Sequence, residues 1–311
     1  MKQIAVIGAG IAGLAAAQRL KKPELGITLF EKSRGLGGRM ATRRVEDLQF
    51  DHGAQYFTAK GPRFSAMVRQ WGENGHADEW FDGAFVGSPG MTAPARAMAE
   101  GHTIVAGCQV AAIRKEGAGW SIYDAHGLVK TPGNGGFSAV ILAVPAPQAA
   151  PLAASAGVDL QELAKVRYAP CWALMLAFSE RLGLLDDRVK PQDDAIAWIA
   201  RNASKPGRGR ETETIIVHAT PDWSRQHLEW STDAAARELV ERFQSLTGVH
   251  QQPAFSLAHR WRYALVEETA GVAFIWDDES RLGACGDWCL GPRVEAAFDS
   301  GEALADAIQQ T

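Results

Sequence analysis

Near the start of the chain, Gln3–Ile7 holds the unbroken apolar run Ile4–Ile7, and a cluster of glycines, Gly8–Gly13, follows at once. Such a run reads as a strand buried on both faces, and the glycines as a tight turn. Ile11–Lys21 then carries Ile11, Leu14, Ala15 and Leu20 at helical spacing, and Pro23 and Gly26 end it before a second apolar run, Ile27–Phe30. The opening is therefore a βαβ unit. Residues Ser33–Arg44 are rich in glycine and arginine and read as a loop. Helices are expected at Arg63–Trp71 and Thr92–Ala99. A β-meander is expected over Val105–Arg114, Trp120–Asp124 and Leu128–Lys130, and a buried strand over Ser138–Val144, stopped by Pro145 and Pro147.

From about Pro151 to Glu268 the pattern changes. Strand-like runs at Trp172–Phe178, Ala195–Ile199, Thr214–His218 and Phe255–Trp261 surround one amphipathic helix, Thr232–Leu246. This predicts an antiparallel sheet with a helical cover, inserted into the first unit. Seven of the ten tryptophans lie from Trp172 onward, enough to fill a second core or to line a cavity for a flat ring. A short strand at Leu282–Cys285, the Gly286-Asp287 turn and an alanine-rich helix, Arg293–Ile308, return to the first pattern. The fold class is α/β (α+β overall). Residues 1–60, 90–150 and 270–311 would form a nucleotide-binding domain, and 61–89 and 151–269 a substrate domain.

Composition narrows the function. A net charge of -4 gives no electrostatic reason for nucleic-acid binding. The apolar run behind Lys2 is too short for a signal core, and no window holds the ~18 apolar residues of a membrane helix. Cys108, Cys171, Cys285 and Cys289 form no disulfide framework in a chain of this length, which suits a reducing cytoplasm. Cys285 and Cys289 are too few and wrongly spaced for structural zinc and read as buried residues.

Gly8-Ala9-Gly10-Ile11-Ala12-Gly13 matches G-x-G-x-x-G between a strand and a helix, and Glu31 ends the next strand. In that context the glycines allow the turn, the approach of a pyrophosphate and close helix–strand packing, and Glu31 can accept from an adenosine ribose. NAD and FAD would both fit this element. The next segment, Ser33-Arg34-Gly35-Leu36-Gly37-Gly38-Arg39-Met40, adds a glycine pair and a planar cation, and resembles the second phosphate motif of the FAD family that contains amine oxidases and aromatic hydroxylases. Cys285-Gly286-Asp287, before the last helix, resembles that family's third element. By that resemblance FAD is bound non-covalently, Asp287 meets the ribityl chain, and Arg293 and Val294 open a helix aimed at the flavin. The resemblance also assigns cofactor contacts to Lys32, Gly53, Ala54, Gln55, Val110 and Ala143.

Further segments are similar to the bacterial renalase-like oxidases: Phe50–Ala59, Asp194–Pro206, His218-Ala219, Trp223-Ser224, Ala258–Ala264 and Gly286–Cys289. The stretch Trp80–Gly90 is shorter than that pattern. The resemblance implies oxidation of the 1,2- and 1,6-dihydro isomers of NAD(P)H to NAD(P)+, with hydride passed to flavin N5 and O2 reduced to H2O2. It points to Gln55, Tyr56, Phe57, Thr58, Ala59, Trp198, His218 and Trp288 as substrate-side residues; His259 is a further candidate. Arg201, Lys205, Arg208 and Arg210 read either as a solvated basic loop or as a clamp for the substrate's phosphates. A flavin amine oxidase, an aromatic hydroxylase and an FAD-binding protein without turnover are the competing readings.

Overall fold

A computed structural model describes residues 2–129, 136–183 and 186–310. The first half runs β1 (Lys2–Ile7), α1 (Ile11–Leu20), β2 (Leu25–Glu31), a 3-10 turn (Gly38–Met40), β3 (Arg43–Val45), β4 (Leu48–Phe50), α2 (Pro62–Glu73), β5 (Ala77–Phe81), β6 (Ala84–Gly87) and α3 (Ala93–Ala99). There follow β7 (Thr103–Ala106), β8 (Ala112–Glu116), β9 (Gly119–Asp124), β10 (Gly127–Leu128), β11 (Ala139–Leu142) and α4 (Ala146–Ser155). The second half adds β12 (Arg167–Phe178), β13 (Arg188–Val189), β14 (Ile196–Arg201), β15 (Glu213–Ala219), α5 (Pro221–Gln226) and α6 (Thr232–Thr247). It closes with β16 (Phe255–Glu268), β17 (Ile275–Asp277), β18 (Leu282–Ala284), α7 (Asp287–Leu290) and α8 (Val294–Gln310).

The first sheet has the order β17-β18-β11-β1-β2-β7 and is parallel except for β17. Strand β1 is buried from Ile4 to Ile7, as a strand covered on both faces must be. Because β2 lies on one side of β1 and β11 on the other, the strand order reverses at β1, and a crevice opens at its carboxyl end, where Gly8–Gly13 begins. The last helix packs on the first. A side chain at Gly301 would strike the Ala12 carbonyl, and Arg19 pairs with Asp306 at 2.6 Å, so both ends of the chain build this layer.

The second sheet, β13-β14-β15-β12-β16, is antiparallel throughout. One face buries Trp172, Leu174, Leu176, Ile215 and Val217 under α6, whose Ala235, Leu239 and Phe243 supply the cover. Alternate residues of β12 turn the other way: Met175 and Ala177 pack with Phe50 at the end of β4.

Several expected elements differ. Val105–Arg114 is two strands: Thr103–Ala106 joins the parallel sheet, and the meander begins at Ala112 after a bend at Gly107. Lys130, expected at the end of the meander, lies outside the described residues. Helix α4 and the β3–β4 and β5–β6 hairpins were absent from the expectation. Among the described residues no helix is long and apolar enough to cross a membrane.

Candidate active site

The crevice at the end of β1 has the form a dinucleotide needs. Gly13 is required by packing, since any side chain there would run into the Gly8 carbonyl. Gly10 is different: a Cβ built there meets no protein atom within 4 Å. Protein packing therefore does not explain the glycine, whereas a phosphate approaching the α1 N-terminus does. Gly37 and Gly38 have φ of 97° and 54°, a region costly to side chains, and a Cβ on Gly38 would lie 3.7 Å from the Gly10 Cα. The two glycine turns thus face one another, and Gly37 N–H donates to the Ala9 carbonyl at 2.9 Å. Ile11 and Ala12 are buried at the start of α1. Glu31 is buried and accepts from Ala9 N–H at 3.0 Å and Ser33 N–H at 2.8 Å. Lys32 is exposed, 3.5 Å from the Gln148 amide oxygen. Ala143 N–H donates to Ile7, and Val110 packs at the edge of the meander core.

Arg39 and Asp287 meet each other. The guanidinium donates both terminal nitrogens to the carboxylate at 2.7 Å, and also donates to the Ala264 carbonyl at 3.2 Å. This fork ties the second glycine turn to α7 and β16, 248 residues apart in sequence for the ion pair. Met40 is buried in the core beside it. Gly53 lies against the Arg39 carbonyl with no room for a side chain, and Ala54 N–H donates to that carbonyl at 2.8 Å. Arg293 is exposed before α8, and Val294 is half-buried at its first turn.

Register explains the opposite wall. Trp198 on β14 pairs with His218 on β15, which pairs with Ala173 on β12, which pairs with His259 on β16. Cross-strand partners share a face, so these residues form one row, with Trp261 two residues beyond His259. The row faces the loop Asp51–Tyr56. The His52 carbonyl accepts from Trp261 Nε1 at 3.0 Å, and His218 Nε2 lies 3.3 Å from it. His52 packs edge-on against His259 with ring centroids 4.8 Å apart, and Tyr56 lies 6.0 Å from Trp198 and 5.1 Å from Phe81. Burial lowers all three imidazoles. His52, next to His259, falls to about 3, and His218 and His259 to about 4. They are neutral at physiological pH.

A buried polar cluster braces this loop. Asp51 is fully buried; it accepts from Arg208 at 2.5 and 3.1 Å, from Met91 N–H at 3.0 Å and from the Thr42 hydroxyl at 2.7 Å. Burial pushes its carboxyl up, but the Lys205 and Arg208 charges outweigh that and hold it at about 2. Lys205 is 1% exposed and Arg208 8%. Arg201 is 3% exposed, and its guanidinium lies 2.7 Å from Glu213 and 3.1 Å from Asp187. Both readings of the basic stretch are therefore corrected for these three: they neither meet solvent nor reach for a phosphate, because buried carboxylates hold Arg201 and Arg208 and polar groups enclose Lys205. Only Arg210 of the four is exposed.

Two substrate-side expectations also change. The Phe57 ring is 3% exposed and packs on Phe64, Trp71 and Phe85; its backbone pairs with Phe85. Trp288 is 1% exposed, and its indole N–H donates to the Val144 carbonyl at 3.1 Å. Both rings are core. Gln55, Tyr56, Trp198 and His218 come together, and Thr58 and Ala59 continue the loop toward α2, half-buried. There Glu295, buried at the start of α8, accepts from Lys60 and Gly61 N–H at 2.8 and 2.5 Å. Asp51, Glu295 and the role of Lys205 escaped the sequence reading, although the Asp51-His52 dyad beside a glycine was a signal that the loop is built rather than free. Among the described residues no cluster could hold a metal.

Comparison with known proteins agrees with this geometry. Residues 6–71 match the family model for NAD(P)-binding Rossmann-like domains, and residues 73–309 that for flavin-containing amine oxidoreductases. A structure provisionally described as a protoporphyrinogen oxidase from Exiguobacterium sp. 255-15 superposes with a TM-score of 0.78 at 13% identity, covering 99% of both chains. Cyclohexylamine oxidase from Brevibacterium oxydans IH-35A gives 0.69 at 11% identity, covering 99% of each. At such identities the likeness is one of fold. In sequence, protoporphyrinogen oxidase 2 of Arabidopsis thaliana is 37% identical over 71 residues, which are 23% of this chain and 14% of that enzyme. The chain matches only that small part of its curated relative, so the match carries no activity with it.

Proposed function

The chain belongs to the flavin-containing amine oxidoreductase family, and from that premise we propose that it is an FAD-dependent oxidase of the 1,2- and 1,6-dihydro isomers of NAD(P)H. The observation that carries this reading is the wall opposite the glycine turns. His52, His218 and His259 are neutral there, beside the rings of Tyr56, Trp198 and Trp261. A dihydropyridine needs such a wall. Its own ring nitrogen drives the departing hydride, so the protein has to stack and orient the ring rather than remove a proton. When bound, FAD would supply the hydride acceptor at N5 and, once reduced, the two electrons that convert O2 to H2O2.

In this reading Gly8, Gly10 and Gly38 hold the phosphates, Gly13 lets α1 pack close behind them, Glu31 holds the ribose, and Arg39 and Asp287 the middle of the cofactor. Gly53 and Ala54 lie beside its ring. The cofactor domain is residues 1–60, 90–150 and 270–311, and 61–89 with 151–269 form the substrate domain. An amine donor would call for two rings facing each other, whereas Tyr56 and Trp198 are tilted by 43°. The aerobic test incubates the yellow protein with 1,2-dihydro-NAD, 1,6-dihydro-NAD, ordinary NADH or putrescine. Stoichiometric NAD+ and H2O2 from a dihydro isomer are expected. Aldehyde from putrescine, with no NAD+ from either isomer, would replace this reading with amine oxidation.

A further inference from the structure

The buried Lys205 ammonium lies closer to an amide oxygen than to a carboxylate. Its Nζ lies 3.2 Å from Gln55 Oε1 and 3.5 Å from Asp51 Oδ2. Arg208 already gives Asp51 two N–H donors, so Asp51 does not need a second cation to be neutralised. A buried ammonium opposes folding unless it is well used. The Gln55 amide shows the use. Its Nε2 donates both hydrogens, to the Asp51 carbonyl at 2.6 Å and the Gly53 carbonyl at 2.9 Å. Oε1 is left facing Lys205, and the amide has no other orientation that satisfies both ends. These bonds close the turn Gly53–Gln55 on itself.

We propose that Lys205 is a positioning residue whose ammonium fixes the Gln55 amide, and through it the Gly53–Gln55 turn of the flavin site. The proposal rests on the reading that places this turn beside the flavin ring. The groups that face Lys205 are Asp51 from the loop after β4, Arg208 from the loop after β14, His218 from β15 and the Trp80 ring of β5, 5.3 Å away. Asp51 is already ionised and His218 already neutral below the alkaline range. Burial brings the Lys205 ammonium down to about 8, so it is the member of this set that titrates between pH 7 and 10.

The experiment follows FAD release from the holoprotein by flavin fluorescence between pH 6 and 10, with the side-chain amide resonance of Gln55 in parallel. In the wild type, release should accelerate about tenfold through a midpoint near the Lys205 titration, the worth of one charged hydrogen bond. Lys205→Met should release FAD fast at every pH, and Gln55→Met should behave the same, with the double variant no worse. Lys205→Arg should stay slow to pH 10. A wild-type midpoint surviving in Lys205→Met, or single effects that multiply in the double variant, would overturn the proposal. A Gln55 resonance that follows the Lys205 titration while FAD release does not would instead keep the contact and remove the turn from the flavin site.

Discussion

Gly10 and Gly13 sit three residues apart and are glycine for different reasons. A side chain at Gly13 collides with the Gly8 carbonyl, while one at Gly10 points into open space. Gly13→Ala should therefore damage the fold itself. Gly10→Val should leave the thermal midpoint of the apoprotein within a few degrees and lower FAD affinity at least tenfold, read by flavin fluorescence titration. Loss of folding in Gly10→Val would contradict the phosphate assignment. The three imidazoles give a second test. Their folded pKa values lie below the ordinary 6.5, so the unfolded chain binds more protons as pH falls. Their contribution is complete above pH 6.5 and is lost as pH drops toward 4. Denaturant midpoints should fall across that window, and His ring resonances in the native protein should show no titration near 6.5. Asp51 contributes on the more acid side, present above about pH 4 and lost toward 2. Asp51→Asn, by stranding two buried cations, should destabilise by roughly 3–5 kcal/mol in denaturant melts.

Among elements, the Arg39–Asp287 fork is the contact that joins the second glycine turn to α7. A double-mutant cycle with Arg39→Ala and Asp287→Ala should show coupling of about 1–2 kcal/mol. Additive effects would mean that the fork is incidental. Elements defined by local pattern were readable beforehand. The β1–α1–β2 unit, α6 and α8 follow from apolar periodicity and from glycine and proline punctuation, all within a short window. Elements set by distant partners were not. The apolar positions Val105, Val110 and Ile113 read as one strand, but pairing with β2 claims the first and pairing with β9 the last. Helix α4 was hidden by its composition: Pro147 is tolerated in the first turn, and Pro151 stands inside the helix. Residue type showed that Arg201, Lys205 and Arg208 are cations and gave no sign of the carboxylates that bury them.

At the scale of the molecule, the parallel sheet supplies a crevice at its switch strand and the antiparallel sheet supplies a row of rings and neutral imidazoles. The loop Asp51–Tyr56 lies between them. In the proposed reaction this arrangement takes hydride from a dihydropyridine whose hydrogen is on the wrong carbon. The most direct test is the anaerobic half-reaction. The oxidised yellow holoprotein is mixed with 1,2-dihydro-NAD(P), 1,6-dihydro-NAD(P), ordinary NADH or a primary amine, and flavin absorbance is followed in a stopped-flow instrument. Rapid bleaching by one or both dihydro isomers, with slow or no bleaching by NADH and amines, is the predicted result. Fast bleaching by an amine, with the dihydro isomers inert, would contradict it.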